Sequence, residues 1–290
     1  MKQPNNIIDW SLVLLIGAIW GSSFLFIKIL TPVIGPLMLV HLRLLIASMF
    51  LAPIFIRKRH LENFKDQLIP IVLLATFNAI FPFYLFSVAS LELTAGTLAV
   101  LNGITPFFTF IFSVLWLKSV YRFTQLLGII IGILGLYVFV GHDSLNFALA
   151  PVFLCLFASS MYAFGTNYLS ILKNLEPTYI ATMTLLAGAV LTSPVMFIDT
   201  GYSFEWNSKV LMSLFLLGAM CTGLAYVCYV FLIRRSGPVE TSTTLLIVPI
   251  FGMIWANIFL QEVITITMII GCGLISGGVF LTHLRVRSRN

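Results

Sequence analysis

Ten apolar segments, each ended by charged, proline or strongly polar punctuation, take up most of this 290-residue chain. They run from Trp10 to Leu30, Pro36 to Ile56, Ile69 to Ser90, Ala95 to Leu117 and Phe123 to Val140. The second set runs from Leu149 to Ser170, Thr178 to Phe197, Val210 to Ile233, Glu240 to Leu260 and Met268 to His283. A helix needs about 20 residues to cross the hydrocarbon core of a bilayer. Ten crossings therefore use up the sequence and leave short connections. Charged residues make up only 9% of the chain and hydrophobic ones 60%, whereas a soluble domain carries about 25% charged residues. The expectation is an all-α membrane protein of ten transmembrane helices with no soluble domain. Cys155, Cys221, Cys228 and Cys272 lie inside apolar stretches without a C-x-x-C pair. They read as small buried hydrophobes, not as a disulfide frame or a zinc site.

The net charge of +6 invites a nucleic-acid reading, but the placement of the cations argues for a membrane instead. With a cytoplasmic N-terminus, Lys2, Arg57, Lys58, Arg59, Lys65, Lys118, Arg122, Lys173, Arg234, Arg235, Arg285, Arg287 and Arg289 all fall inside. The outer connections hold Lys209 alone, and Lys28 and Arg43 fall within segments. That split is a positive-inside pattern. It predicts both termini in the cytoplasm and a multi-pass protein of the inner (plasma) membrane, surrounded by lipid and without a nucleic-acid partner. The first segment has one preceding lysine and no small-residue cleavage site, so it is expected to be retained and not removed as a signal peptide.

The chain also repeats itself. A shift of 143 residues lays Pro106 on Pro249, Phe108 on Phe251, Leu117 on Leu260, Thr124 on Thr267, Gly128 on Gly271 and Gly135 on Gly278. The first five-helix repeat is assigned to residues 1–145 and the second to 146–290. Five segments per copy is an odd number, so the second copy crosses the membrane upside down relative to the first. Inverted repeats of this kind suit alternating access around a central site.

Several of these residues resemble a known family. Trp20-Gly21-Ser22-Ser23-Phe24 followed by Lys28, and Arg43 followed by Ala47, are similar to the opening helices of the EamA-like ten-helix transporters of the drug/metabolite transporter superfamily. Thr105-Pro106 through Gly128 and Gly135, and Pro249 through Gln261-Glu262, Gly271 and Gly278, resemble the end of that family's repeat. The chain departs from the pattern at Lys118-Ser119, where the first copy often has an acidic residue. Any role for Glu262 therefore has no mirror in the first copy. The resemblance implies export or exchange of small organic metabolites, amino acids prominent among them.

Three groups of residues are candidates for handling substrate. Pro82, Pro106 and Pro249 fall near mid-segment, where each removes an N–H and frees the carbonyl four residues earlier, at Asn78, Asn102 and Leu245. On this reading the third, fourth and ninth segments are broken at the membrane midplane and line a cavity; on the other, the prolines are packing kinks with the asparagines bonded to neighbouring helices. Trp20, Tyr84, Tyr162, Tyr226 and Trp255 offer aromatic bodies with polar handles, although 26 phenylalanines show that aromatic rings also serve as general packing. Lys28, His41 and Arg43 are read as a cationic outer vestibule able to meet a substrate carboxylate, with snorkelling as the alternative for Lys28. No carboxylate falls at midplane depth, so a buried-carboxylate proton relay is not expected. Gly128 with Gly132, and Gly273 with Gly277, suggest close helix contacts, with a dimer face as a second use; monomer and dimer both stay open.

A membrane enzyme is disfavoured because no G-x-S-x-G or H-E-x-x-H run occurs and His41, His60, His142 and His283 are scattered. A receptor or scaffold is expected to carry a sensory or signalling domain, and no segment of the chain reads as one. A channel has no need of the inverted repeat, although the repeat alone does not forbid one. The sequence is thus expected to encode a secondary transporter without cofactor or metal. It would move a small-molecule substrate, neutral or aromatic amino acids first, by alternating access.

Overall fold

The computed structural model describes residues 7–57, 64–120, 122–141, 149–172, 176–198, 201–202, 206–236 and 244–283. Among the described residues all regular structure is helical. The first two segments are the α-helices Ile7–Ile34 and Pro36–Arg57. They are joined at Gly35, whose φ of +77° makes a reversal that an L side chain would strain. The third segment is interrupted: an α-helix Phe64–Ala75, a π-helical turn Thr76–Ile80, then an α-helix Phe81–Ala89. The fourth consists of Ala95–Asn102 and Thr105–Leu115 with a turn at Gly103-Ile104 between them. The fifth is Phe123–Gly141, the sixth Leu149–Ile171, and the seventh Pro177–Thr192 closed by a 3-10 turn Ser193–Phe197. The eighth runs as Ser208–Phe215, a π-helical stretch Leu216–Leu224 and Ala225–Ser236. Thr244–Leu260 and Ile266–His283 are the ninth and tenth.

Eight of the ten segments are long and apolar enough to cross a membrane, and the ninth and tenth are shorter apolar helices. Helix starts are marked by side-chain oxygens that accept otherwise orphaned N–H groups. Thr94 accepts from Thr97 N–H (3.2 Å), Glu176 from Tyr179 N–H (2.8 Å) and Asn207 from Val210 N–H (2.9 Å). The outward faces stay apolar and exposed, as with Ile130, Ile133, Leu134 and Tyr137 on the fifth segment. In water this would be untenable; against lipid it is the required surface.

Helix packing follows the sequence repeat. The first segment packs on the ninth, and their repeat mates, the sixth and the fourth, pack on each other. The second packs on the eighth, and the third on the seventh, in the same relation. The fifth and tenth are themselves repeat mates and form the tightest pair through glycine. A Cβ on Gly128 would meet the Gly278 carbonyl oxygen, and one on Gly135 would meet the Gly271 carbonyl oxygen at 2.9 Å. Because Gly128 corresponds to Gly271 and Gly135 to Gly278, each copy contacts the other's opposite end. The two helices run antiparallel about a pseudo-twofold axis.

The copies also end their fourth and ninth segments alike. Lys118 and Gln261 both take left-handed backbone, with φ of 53° and 54°. Ser119 N–H donates back to Ser113 O at 3.0 Å, and Glu262 N–H to Ala256 O at 3.3 Å. These are the same αL helix stop one repeat apart.

Two expectations need correction here. The ninth helix runs through Pro249 unbroken, since loss of one N–H is tolerated inside a packed membrane helix; the proline ring packs against Gly103, 2.8 Å from where a Cβ there would lie. Of the glycine pairs, Gly273 and Gly277 have nothing within 4 Å; the close contact uses Gly271 and Gly278 instead.

This contrast gives a paired prediction. Gly278→Ala must force backbone apart and should lower the thermal midpoint in detergent by several degrees, in keeping with about 1–3 kcal/mol for overpacking. Gly277→Ala, facing open space, should leave it unchanged or raise it through better helix propensity. Equal midpoints for the two variants would contradict the packing described.

Candidate functional site

A cavity of about 510 Å³ lies between the two copies, within the usual range for small-molecule sites of about 300–1,000 Å³. Every segment except the fifth contributes to its wall. Trp20, Ser23, Phe24 and Ile27 come from the first segment and Arg43 from the second. Asn78, Phe83 and Phe86 come from the third, and Asn102, Thr105, Pro106 and Thr109 from the fourth. The second copy supplies Tyr162 and Thr166 from the sixth segment, Thr184 from the seventh, and Cys221, Thr222, Tyr226 and Tyr229 from the eighth. Leu245 and Val248 add an apolar strip from the ninth.

The helix interruptions concentrate on this wall. The π-helical turn Thr76–Ile80 carries Asn78, and the π-helical stretch Leu216–Leu224 carries Cys221 and Thr222. A shift of 143 residues places the first of these within the second, so both copies widen the same helix at the same depth. In the first copy the cause is local, since Pro82 follows at the start of the next helical piece and has no N–H to give. In the second copy Ala225 stands in that place. There the widened stretch brings Gly218 against Ile46 and the Arg43 carbonyl, at 2.7 and 3.2 Å from a notional Cβ. Thr222 Oγ1 donates to Leu217 O at 2.9 Å, five residues back, which occupies a carbonyl within that stretch. In the fourth segment, the Asn102 carbonyl ahead of Pro106 accepts from Thr105 Oγ1 at 2.7 Å. That carbonyl is therefore occupied by the chain itself, although the Asn102 side chain faces the cavity.

The candidate residues divide clearly. Trp20, Asn78, Asn102, Tyr162, Tyr226 and Pro106 line the cavity. Tyr84 does not; it packs among the buried apolar clusters beside it. Trp255 does not either: its indole Nε1–H donates to Ala18 O at 2.9 Å and ties the ninth segment to the first. Pro82 and Pro249 are buried but off the wall. Lys28, His41 and Arg43 do not share one vestibule. Lys28 Nζ donates to Ser90 O at 2.7 Å, and the buried His41 pairs Nδ1 with Thr192 Oγ1 at 3.1 Å. Arg43 faces the main cavity, where its Nε–H donates to Thr222 Oγ1 at 2.8 Å and its guanidinium lies 3.6 Å over the Phe83 ring.

Sequence reasoning passed over Thr184, Thr222 and Tyr229. Each is a polar group inside an apolar segment, and that was the available signal. Tyr229 stacks obliquely on Trp20 with ring centroids 5.1 Å apart. Thr184 is buried on the wall, and its hydroxyl has no partner among the described residues. Asn167 was also missed, and it is structural: its amide donates to Thr109 O at 3.0 Å and Ala163 O at 2.9 Å, joining the fourth and sixth segments.

The two ends of the cavity differ. At one end Phe24, Ile27 and Phe86 are buried, and beyond them the copies are tied by a carboxylate. Glu262 accepts from Ala95 N–H at 2.8 Å and Gly96 N–H at 3.0 Å, capping the fourth segment from the other copy. Lys28 lies within its electrostatic reach. At the opposite end, near Ser113 and the Lys118 helix stop, the wall reaches Thr166, which is exposed. The position one repeat after Ala95 falls at 238, outside the described residues.

Comparison with known proteins agrees with this architecture. Residues 10–141 and 149–284 each match the EamA-like transporter family. An uncharacterized transporter of Archaeoglobus fulgidus is 24% identical over 275 residues, covering 94% of this chain and 97% of that protein. The uncharacterized transporter YoaV of Bacillus subtilis is 25% identical, covering 93% and 94%. A probable amino-acid metabolite efflux pump of Salmonella typhimurium is 25% identical, covering 97% and 96%. A solved crystal structure superposes with a TM-score of 0.69 over 97% of this chain and 96% of its own, at 14% identity, a likeness of fold alone. Two family repeats, apolar helices throughout and a cavity at the seam between the copies make this chain a multi-pass membrane transporter, not an enzyme, and a member of the EamA-like transporter family.

Proposed function

We propose that the protein is a secondary transporter of the inner membrane that exports or exchanges small organic metabolites, amino acids foremost, by alternating access. All ten segments cross the bilayer in this reading, in two inverted repeats with both termini in the cytoplasm. The observation that carries it is the unequal sealing of one cavity shared by two pseudo-symmetric copies. Rocking one copy against the other would exchange the sealed and open ends. The positive-inside distribution of cations makes the open end cytoplasmic, so the conformation described is the inward-facing one. Amino acids as substrates rest on the wall's amides, hydroxyls and aromatic faces, and on the efflux pumps among the relatives.

Purified protein in proteoliposomes, preloaded with one unlabelled amino acid at a time, should accumulate the labelled form by counterflow for at least one of the twenty. Asn102→Leu, inserted and folded normally, should reduce that exchange about tenfold or more, since an amide on the wall becomes an alkyl group. Full exchange by the variant would remove Asn102 from the site, and counterflow by none of the twenty would refute amino acids as the substrate.

Sidedness has its own test. With the four native cysteines replaced by serine, Thr166→Cys should react with an impermeant maleimide only from the cytoplasmic side. Ile27→Cys, behind the Glu262 cap, should stay protected from both sides until Glu262→Ala is added, which should open it to reagent from outside. Labelling of Thr166→Cys from outside alone would reverse the assigned orientation.

A further inference from the structure

Among the described residues, Arg43 is the only Lys or Arg on the cavity wall, and no Asp or Glu lines it. The residue lies seven positions into the helix Pro36–Arg57, about 10 Å below its start at 1.5 Å per residue. Its guanidinium keeps its proton under any ordinary condition and offers five N–H donors. One of them, on Nε, is given to Thr222 Oγ1, and one face of the group is covered by the Phe83 ring. No ion pair holds it among the described residues. A cation this deep, 6% exposed, is costly unless an anion meets it.

We infer that Arg43 is the carboxylate-binding group of the cavity, and that the transported substrates are organic acids or amino acids bearing one carboxylate. This deepens the reading given under Proposed function and rests on the cavity being the transport site. The geometry narrows the approach. Thr222 takes the Nε side and Phe83 closes one face, so the edge formed by the two terminal nitrogens remains. That edge can donate two parallel N–H groups to the two oxygens of a carboxylate. One cation favours a monoanion over a phosphate ester, because Lys28 is engaged elsewhere, on Ser90 O beside Glu262. Thr184 is the second observation pointing to a ligand: it is buried on the same wall with a hydroxyl that has no partner among the described residues. The rest of the substrate would lie on Trp20, Tyr162 and Tyr229. With no acidic residue on the wall, an ammonium group would be received by ring faces and amide oxygens.

The experiment measures binding to the purified full-length protein by ligand-induced thermal shift across concentration. The probes are the twenty L-amino acids, their C-terminal amides and their deaminated acids. At least one acid should bind, with its amide at least tenfold weaker. Arg43→Gln should weaken that acid tenfold or more while leaving the amide within about threefold, and Arg43→Lys should fall between. Should Arg43→Gln fail to fold, Thr222→Val, which releases the Nε side, should weaken the acid about threefold or more and leave the amide unchanged. Equal affinity for acid and amide, full acid binding by Arg43→Gln (by Thr222→Val if Arg43→Gln does not fold), or no acid bound by the wild type would each overturn the inference. The two readings separate cleanly. Deaminated acids bound through Arg43 without any amino acid would uphold Arg43 and refute amino-acid transport. Amino acids bound without regard to Arg43 would do the reverse.

Discussion

In hydrocarbon a backbone N–H or carbonyl has no water to turn to, and an unpaired one costs several kcal/mol. This constraint governs where the chain leaves regular α-helix. Apart from the 3-10 turn Ser193–Phe197 that closes the seventh segment, its interruptions among the described membrane-crossing residues are the π-helical turn at Thr76–Ile80, the turn at Gly103-Ile104 and the π-helical stretch at Leu216–Leu224. Each supplies or adjoins residues of the cavity wall, and where the Asn102 carbonyl comes free ahead of Pro106 the Thr105 hydroxyl donates to it. The lipid-facing fifth segment shows no such break. Irregular backbone and polar side chains thus share one location because the same requirement excludes both from lipid.

The pseudo-twofold makes the departures from symmetry informative. Both copies end a helix with the same left-handed residue and the same long backbone hydrogen bond, then place different side chains at the next position. Ser119 in the first copy has a short hydroxyl; Glu262 in the second reaches across to two N–H groups at the start of the Ala95–Asn102 helix. A carboxylate at a helix N-terminus is favoured by the aligned peptide dipoles as well as by the hydrogen bonds. A serine at the mirror position offers no formal charge and a shorter reach. With backbone frameworks this similar, the one-residue difference ties the copies together at the Glu262 end, where Phe24 and Ile27 are buried.

The repeat and the ten apolar segments were legible in the sequence because each leaves a periodic or punctuating mark. The side-chain assignments were legible only in part, for a physical reason. In a soluble helix the apolar stripe reports which face is buried, but here lipid-facing and core-facing sides are both apolar and the stripe is lost. Depth along a helix can still be counted; rotation about its axis cannot. So Asn78, Asn102 and Tyr162 were placed on the wall, while Tyr84 and Trp255, equally suitable in chemistry, turned toward helix contacts. Arg43 was placed near the outer end by counting along its helix, yet its rotation sends it into the shared cavity and away from Lys28 and His41. Pro249 shows a different limit: a mid-segment proline marks a lost N–H but does not by itself say whether the helix breaks, as it does near Pro82 and Pro106, or runs on, as it does through Pro249.

In the proposed mechanism, the position of Arg43 at the seam links binding to movement. Its own helix and Phe83 belong to the first copy, while Thr222 and the nearby Tyr162 belong to the second. Any rocking of one copy against the other must lengthen or replace the Arg43–Thr222 bond, because the two partners ride on different bodies. A ligand can shift a conformational equilibrium only by the difference in its affinity for the two states. A group held through contacts to both copies supplies such a difference, whereas one bound wholly within one copy would travel with it and supply little. A cation with no carboxylate partner among the described residues, and held by a neutral hydroxyl from the opposite copy, is therefore suited to sensing whether the site is filled. A fixed ion pair at the same place would satisfy the charge in every state and make the cavity indifferent to its cargo.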